Sequence, residues 1–429
     1  MKIHLKALGC RLNEAELEQW SRDFTGEGHN IVRNADEADV VVVNTCAVTT
    51  EATKKSRKLM NRLHRENPQS KVVVSGCYAT LEEQEVAKRS GVDLVVNNAD
   101  KELLPQKVMD AFSDNTMPLN AMEPDQSSLF LRGKQRAFIK IQDGCRYRCT
   151  FCIVTVARGQ ERSRSLADIV TEVNSLHQQG IQEIVLTGVH VGGYGSDIES
   201  SLYELVTTLL SDTDIPRIRF ASVEPWDLPE TFFTLFENKR LMPHMHLPLQ
   251  SGADSVLRRM SRRCKIGDFS DLVEQARSVI PDFNVTTDII VGFPGETDDE
   301  WKMTMENVES IGFGHIHIFS YSPREGTKAA GLANPVEEAV KKFRSNQLHA
   351  LADKLKQQFH QTHLNREVDV LWEGQKKDEN DRLIFTGYTP NFCKVESNGK
   401  NDVLLEGRVK TTQLLSYSLD RSVLKGKVL

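Results

Sequence analysis

Along the first 125 residues, short apolar runs alternate with longer stretches of helical period. The runs "KIHLKAL", "DVVVVN", "KVVVSG" and "DLVVN" predict strands joined by crossover helices, the pattern of an α/β domain. From Asp114 to Lys134 periodicity fades into Pro, Asn, Ser and Asp, which predicts a linker. Between about 135 and 365 six more runs follow: "AFIKIQ", "EIVLTG", "RIRFAS", "MHLPLQ", "NVTTDIIVGF" and "HIHIFSY". Helical patterns such as "LADIVTEVNSLHQQG", closed by Gly180, separate them. Six β/α units suit a partial barrel whose active face lies at the carboxyl ends of its strands, although a doubly wound sheet gives the same alternation. "KKFRSNQLHALADKLKQQFHQTHL" then predicts a long helix. After about 366 the texture changes to "VDVLWEG", "LIFTGYTPNFCKV", "DVLLEGRVKT" and "SLDRSVLKGKV", short strands between Gly and Asn turns, which predict a small all-β barrel. The expected class is α/β in three domains, 1–125, 126–365 and 366–429.

Three of the first four strands run into a cysteine, "LGC" at Cys10, "NTC" at Cys46 and "SGC" at Cys77. Strand ends of a parallel sheet share one edge, so residues 36 and then 31 positions apart are expected to converge there. Three more cysteines crowd "GCRYRCTFC", at 145, 149 and 152. The opening "MKIHLKALGC" has no long apolar core, and no later run approaches the roughly 20 apolar residues of a membrane span. A cytoplasmic protein with no membrane partner is expected. Its eight cysteines then read as metal ligands, catalytic groups or fillers and not as a disulfide framework.

A net charge of -6 gives no global attraction to nucleic acid, so phosphate contacts must be local. Three basic clusters qualify: Lys54, Lys55, Arg57, Lys58 and Arg62; Arg146, Arg148, Arg158, Arg162 and Arg164; and Arg258, Arg259, Arg262, Arg263 and Lys265. The middle set flanks the cysteine triplet and is read as serving it. The last 64 residues carry 11 Lys and Arg against 10 Asp and Glu, only weak support for RNA binding.

Spacings of four and three residues wrap Cys145, Cys149 and Cys152 around one point. Structural zinc wants a fourth ligand, and no second Cys-x-x-Cys knuckle or nearby histidine pair supplies it. Three thiolates suit a 4Fe-4S cluster with one iron left open to a substrate, although the spacing alone leaves another metal open. "CRYRCTFC", with Phe151 before the last cysteine, resembles the Cys-x3-Cys-x2-Cys motif of the radical SAM family, whose cofactor is S-adenosylmethionine (SAM).

The resemblance extends over essentially the whole chain to the radical SAM methylthiotransferases, through "LGCRLNEAELE", "VVVNTCAVTTEATKKSRK", "VVSGCY", "VLTGVHVGGYG", "HLPLQSGADSVLRRMSR", "DIIVGFPGET" and "FSYSPREGTKAA". It implies a three-cysteine N-terminal domain, a partial (β/α)6 barrel and a C-terminal TRAM-like barrel that binds RNA. It also implies that Cys10, Cys46 and Cys77 hold a second 4Fe-4S cluster facing the first. Thr187 and Gly188 would meet the SAM amino group. Glu224 and the turn that begins with Val291 and Gly292 would line its ribose and adenine. His244 and His246 alternate on one strand face and read as cavity lining, Cys264 is a neutral departure from a position where the family often has an aromatic residue, and Cys393 reads as a filler.

"NTCAVTTEATKKSR" resembles the branch of the family that converts N6-threonylcarbamoyladenosine at position 37 of tRNA to its 2-methylthio derivative. The implied partners are the tRNA anticodon stem-loop and a low-potential electron donor such as flavodoxin or ferredoxin. "CIVTVARGQERSRS" departs from the usual pattern, which keeps alternatives open: isopentenyladenosine in tRNA, a ribosomal protein, or a non-catalytic iron-sulfur RNA-binding protein.

Overall fold

A computed structural model describes residues 1–112, 135–377, 383–398, 405–418 and 422–429. The predicted linker at 114–134 lies outside the described residues.

The first sheet contains β1 (Lys2–Ala7), β2 (Asn30–Ile31), β3 (Val40–Thr45), β4 (Lys71–Gly76) and β5 (Leu94–Val96), all parallel, in the order β2-β1-β3-β4-β5. Both faces are covered, which is why β3 is buried at every residue and reads as a continuous apolar run. Val41 and Val43 pack with Leu59, Met60 and Leu63 of the helix Thr50–Glu66. Val40 and Val42 face the other way, onto Leu17, Trp20 and Phe24 of the helix Arg11–Gly26. Period-two alternation thus sends one valine run to two cores.

The central region holds β6 (Arg136–Lys140), β7 (Gln142–Asp143), β8 (Arg162–Ser163), β9 (Glu183–Thr187), β10 (Arg217–Phe220), β11 (His244–His246), β12 (Asn284–Val291) and β13 (His315–Ser320). Two three-stranded parallel sheets, β10-β9-β6 and β11-β12-β13, are joined by single bridges Ile218↔Leu241 and Ser222↔His246. The six strands of the predicted partial barrel are therefore those observed, and among the described residues no ladder closes β13 onto β6. Ile184, Leu186, Ile218, Phe220, Val285, Ile289 and Ile316 belong to one core with residues of the surrounding helices, such as Ile169, Val173, Leu205 and Leu348. The alternate positions face inward. The small antiparallel ladder β7–β8 was not foreseen, because two residues are too few to show a period.

The helix Glu338–Gln361 leads to β14 (Glu367–Lys377), β15 (Leu383–Tyr388), β16 (Lys394–Asn398), β17 (Val409–Tyr417) and β18 (Leu424–Val428), which close into a five-stranded barrel around Val370, Trp372, Phe385, Val395, Leu414 and Leu424. This barrel docks where the central strands begin. Arg136 lies 4.8 Å from the Tyr388 ring centroid, Arg219 lies 4.7 Å from that of Phe392, and Asn284 donates to the Asn391 carbonyl at 2.7 Å. Among the described residues no helix is long and apolar enough to cross a membrane.

Candidate functional site

The order β2-β1-β3-β4-β5 changes its direction of growth between β1 and β3, opening a crevice at their carboxyl ends. Cys10 caps the helix that follows β1, Cys46 is the first residue after β3, and Cys77 opens the helix Cys77–Leu81 after β4. Backbone approach here needs glycine. Gly9 has φ +109°, and a Cβ on it would fall 2.7 Å from Cys46 Cβ. Burial first, then the charges of Cys10 and Cys77, push the Cys46 thiol up to about 11. Asn13 pins the crevice, donating to the carbonyls of Leu8 at 2.6 Å and Thr45 at 3.2 Å, with its Oδ1 3.7 Å from Cys10 Sγ.

The second triplet sits on a loop whose ends are clamped by the β7–β8 pairs Gln142↔Ser163 and Asp143↔Arg162. Gly144 must be glycine: its φ is +73°, and a Cβ would stand 1.8 Å from the Gln160 carbonyl oxygen. Thr150 ties the loop to the following units, its N–H to Met260 O at 3.0 Å and its hydroxyl to Arg259 O at 2.9 Å. Phe151 packs on buried Ala253, Val256, Met260, Phe293 and Ala329, so it anchors the loop by apolar contact. Arg262 donates to Cys149 Sγ at 3.8 Å and lies over Trp226 at 4.3 Å. Burial, then Glu224 and the neighbouring cysteines, raises Cys145 to about 12, and burial first raises Cys152 to about 11.

The two triplets meet. Side chains bridge the loops that carry them. Asn98 donates to Cys77 Sγ at 3.8 Å and to the Ala157 carbonyl at 2.8 Å, joining the two loops. Arg158, only 4% exposed, donates to Asn13 Oδ1 at 2.7 Å, Glu16 at 2.8 Å and Asp143 at 3.1 Å. Lys101 completes this buried network, bonding Glu16 at 2.5 Å and Asp143. Of the arginines read as serving the triplet, Arg158 is thus an interior tie, and Arg164 is held by Lys140 O and Glu172 at 2.9 and 2.6 Å. They do not form one anion-binding patch.

Thr187 ends β9, and Gly188 follows against Gln142, where a Cβ would come 2.9 Å from Gln142 Oε1. That oxygen accepts the N–H groups of Val189 and His190 at 3.0 and 2.9 Å. Val291 ends β12, and the turn after it is fixed by Glu296, which accepts Gly292 N–H at 2.9 Å and Arg344 at 2.8 Å. Glu224, beyond β10, keeps a buried Oε2 with no hydrogen-bond partner among the described residues; burial above all raises its carboxyl. All these residues lie at the carboxyl ends of the central strands, on the edge that carries the second triplet.

His190 is fully buried between Glu161 on Nδ1 and Asp227 on Nε2, the latter at 2.6 Å, and Asp227 also accepts from Tyr147 at 2.8 Å. Although His190 and Glu161 stand near Cys145, both imidazole nitrogens are committed, so the second triplet gains no fourth protein ligand from them. Sequence reading did not single out Asn13, Glu16, Asn98, Lys101, Asp143, His190 or Asp227. These polar residues acquire meaning only from partners many positions away.

Six thiols in two sets of three fit clusters that each keep an open iron. Burial disfavours the ionised form of Cys10, Cys46, Cys145 and Cys152, so a bound cation is what would hold these as thiolates. The orphaned Glu224 Oε2 fits a ligand hydroxyl. Cys264 and Cys393 lie apart, in the central core and the small barrel.

Residues 2–97 match the model described as Uncharacterized protein family UPF0004, and residues 139–308 match the Radical SAM superfamily. The chain is 34% identical over 427 residues to the threonylcarbamoyladenosine tRNA methylthiotransferase MtaB of Bacillus subtilis, covering 96% of this chain and 93% of that protein. It is 33% identical over 434 residues to the tRNA-2-methylthio-N(6)-dimethylallyladenosine synthase of the same organism, covering 98% and 85%. In fold it is similar to the radical S-adenosylmethionine methyltransferase TsrM of Kitasatospora setae, with a TM-score of 0.58 at 15% identity over 77% of each chain.

Proposed function

This chain belongs to the radical SAM methylthiotransferases, enzymes that act on tRNA, and from that premise we propose that it converts N6-threonylcarbamoyladenosine at position 37 to the 2-methylthio nucleoside. The observation that carries the reading is the meeting of the two cysteine triplets across the Asn98 and Arg158 ties. In this reading Cys145, Cys149 and Cys152 hold one 4Fe-4S cluster, and Cys10, Cys46 and Cys77 hold another. Loaded with SAM, such a pair supplies a one-electron cleavage of the sulfonium and a sulfur that can be methylated and transferred. Glu224 would orient the ribose through Oε2, which has no hydrogen-bond partner among the described residues and stands 3.9 Å from His190 Nε2. Thr187, Gly188, Val291 and Gly292 shape the rim around the adenine and the amino group, and Phe151 holds the loop against its apolar floor.

The choice of threonylcarbamoyladenosine is supported by the inner face of the central barrel. Lys140, Thr187, His246, Asp288 and His317 occupy inward positions, and Arg11, at the start of the helix behind Cys10, lies 5.1 Å from the ring centroid of Phe138 on β6. A carboxylate- and hydroxyl-bearing substituent finds hydrogen-bond partners on such a wall, whereas a dimethylallyl group would strip water from it without return. The exposed Arg408, Lys410 and Lys427 of the small barrel, with Lys54, Lys55, Lys58 and Arg62 on the helix Thr50–Glu66, would contact phosphates of the anticodon stem-loop. We place the reaction in the cytoplasm, with flavodoxin or ferredoxin as electron donor.

The test is anaerobic reconstitution with SAM, dithionite and tRNA bearing threonylcarbamoyladenosine, followed by digestion and nucleoside mass analysis. A 2-methylthio product is expected. Formation of 5'-deoxyadenosine with an unchanged nucleoside would overturn the substrate assignment, and absence of both under full cluster loading would overturn the two-cluster reading.

A further inference from the structure

We propose that His246, Asp288 and His317, on the same inner wall to which the proposed substrate is assigned, form a metal site distinct from both cysteine sets, one that takes a single first-row divalent cation such as Zn2+ or Fe2+ and uses no cysteine. The three residues stand on three adjacent parallel strands, β11, β12 and β13. In the register Asp288 faces His317 directly, and Thr286, two positions before Asp288 on the same face, faces His246. Sheet geometry thus brings the three side chains to one point, and one ligand atom from each lies within 4.8 Å of the other two.

His246 Nε2 is 3.2 Å from Asp288 Oδ1, and the imidazole centroids of His246 and His317 are 5.4 Å apart. A tetrahedral ion with bonds of about 2.0–2.1 Å holds its ligand atoms roughly 3.3 Å from one another. The His246–Asp288 edge already has that length. His317 closes the triangle by a shift of up to about 1.5 Å on that scale, and its side chain is exposed towards the open cavity, where such a shift is easy.

The orientation of His246 is fixed from behind. Thr286 Oγ1 stands 3.0 Å from its Nδ1 and 3.2 Å from His244 Nε2, which leaves Nε2 of His246 turned towards Asp288. A hydrogen-bond acceptor on the far nitrogen sets the orientation of a metal-bound imidazole, and the Thr286 hydroxyl oxygen stands in that place. Read from sequence, His246 was a cavity-lining residue; Asp288 and His317 come from 42 and 71 positions further on, where no local spacing links them to it. A plain His246–Asp288 ion pair would account for two of these side chains and leave the convergence of His317 without a role. Two imidazoles and one carboxylate favour a borderline first-row ion over Mg2+ or Ca2+, and three protein ligands leave coordination positions open to the cavity.

The test uses the full chain with both cysteine sets loaded with iron and sulfide, dialysed against Zn2+, desalted and analysed for metals, with zinc K-edge absorption on the same sample. One zinc per chain in a nitrogen and oxygen shell is expected, at unchanged iron content. His317→Gln and Asp288→Asn should each lower the retained zinc at least tenfold while their melting temperatures and iron contents match the parent. The proposal is overturned if the parent retains no zinc, if zinc is gained as iron is lost or shows sulfur neighbours, or if both variants keep the metal.

Discussion

Arg158 and Glu16 form an ion pair at 2.8 Å between side chains each about 2% exposed, 142 positions apart in sequence. One follows Cys152 and the other follows Cys10, so the pair locks the two cysteine-bearing segments together.

Removing one partner of such a pair leaves the other charge buried, at a cost of about 3–5 kcal/mol. Arg158→Met should therefore lower stability by about that amount, read as a fall in the denaturant midpoint, and should lower methylthio product more than SAM cleavage. Burial works against the charge on Glu16, but Arg158 and Lys101 outweigh it and hold the carboxyl far below the usual range. A depressed folded-state pKa contributes stability above the unfolded value of about 4.3 that is lost as pH falls towards the folded value. The gap between parent and Arg158→Met should accordingly be full at pH 7 and narrow below about pH 4.

Gly9→Ala should empty the N-terminal triplet selectively. Its Cβ would enter at 2.7 Å from Cys46 Cβ, on a backbone at φ +109° that disfavours any side chain. Iron content should drop by about half, as expected where one of two proposed clusters is lost, with 5'-deoxyadenosine formation retained and the methylthio product gone. Full iron loading in this variant would contradict the assignment.

Glu224→Gln keeps the shape and removes the charge of the orphaned carboxylate. A hydrogen bond to a charged group is worth about 1.5–3 kcal/mol, so SAM affinity should weaken by about tenfold or more in equilibrium binding. Iron content should not change, because Glu224 has no place among the cysteine ligands.

For His190, burial opposes the charge, but the bonds to Asp227 and Glu161 and the charge of Glu224 outweigh it and raise the imidazole above its ordinary range. A raised folded-state pKa contributes stability that is full below the unfolded value of about 6.5 and is lost as pH rises through the folded one. Melting temperatures from pH 6 to 9 should show this alkaline loss in the parent and a flatter profile in His190→Gln.

What the chain determines locally was readable from its pattern. The runs that became β1, β3, β4 and β5, the six central strands and the small barrel carry their own periodicity and turn residues, and the two cysteine sets stand at strand ends or in one short motif. Short ladders such as β7–β8 and the two-residue β2 escaped, since period-two alternation needs more residues to show. Tertiary structure alone decided that the sheet order is β2-β1-β3-β4-β5, which brings Cys10, Cys46 and Cys77 to one crevice and lets Asn98 tie it to the loop of the second triplet. It also decided the fate of the charges: Arg158 reads as one arginine among five until Asn13, Glu16 and Asp143 close around it. The physical reason is range. Strand and helix patterns arise from neighbours a few residues apart, whereas the energy of a buried charge is set by groups that only folding brings near.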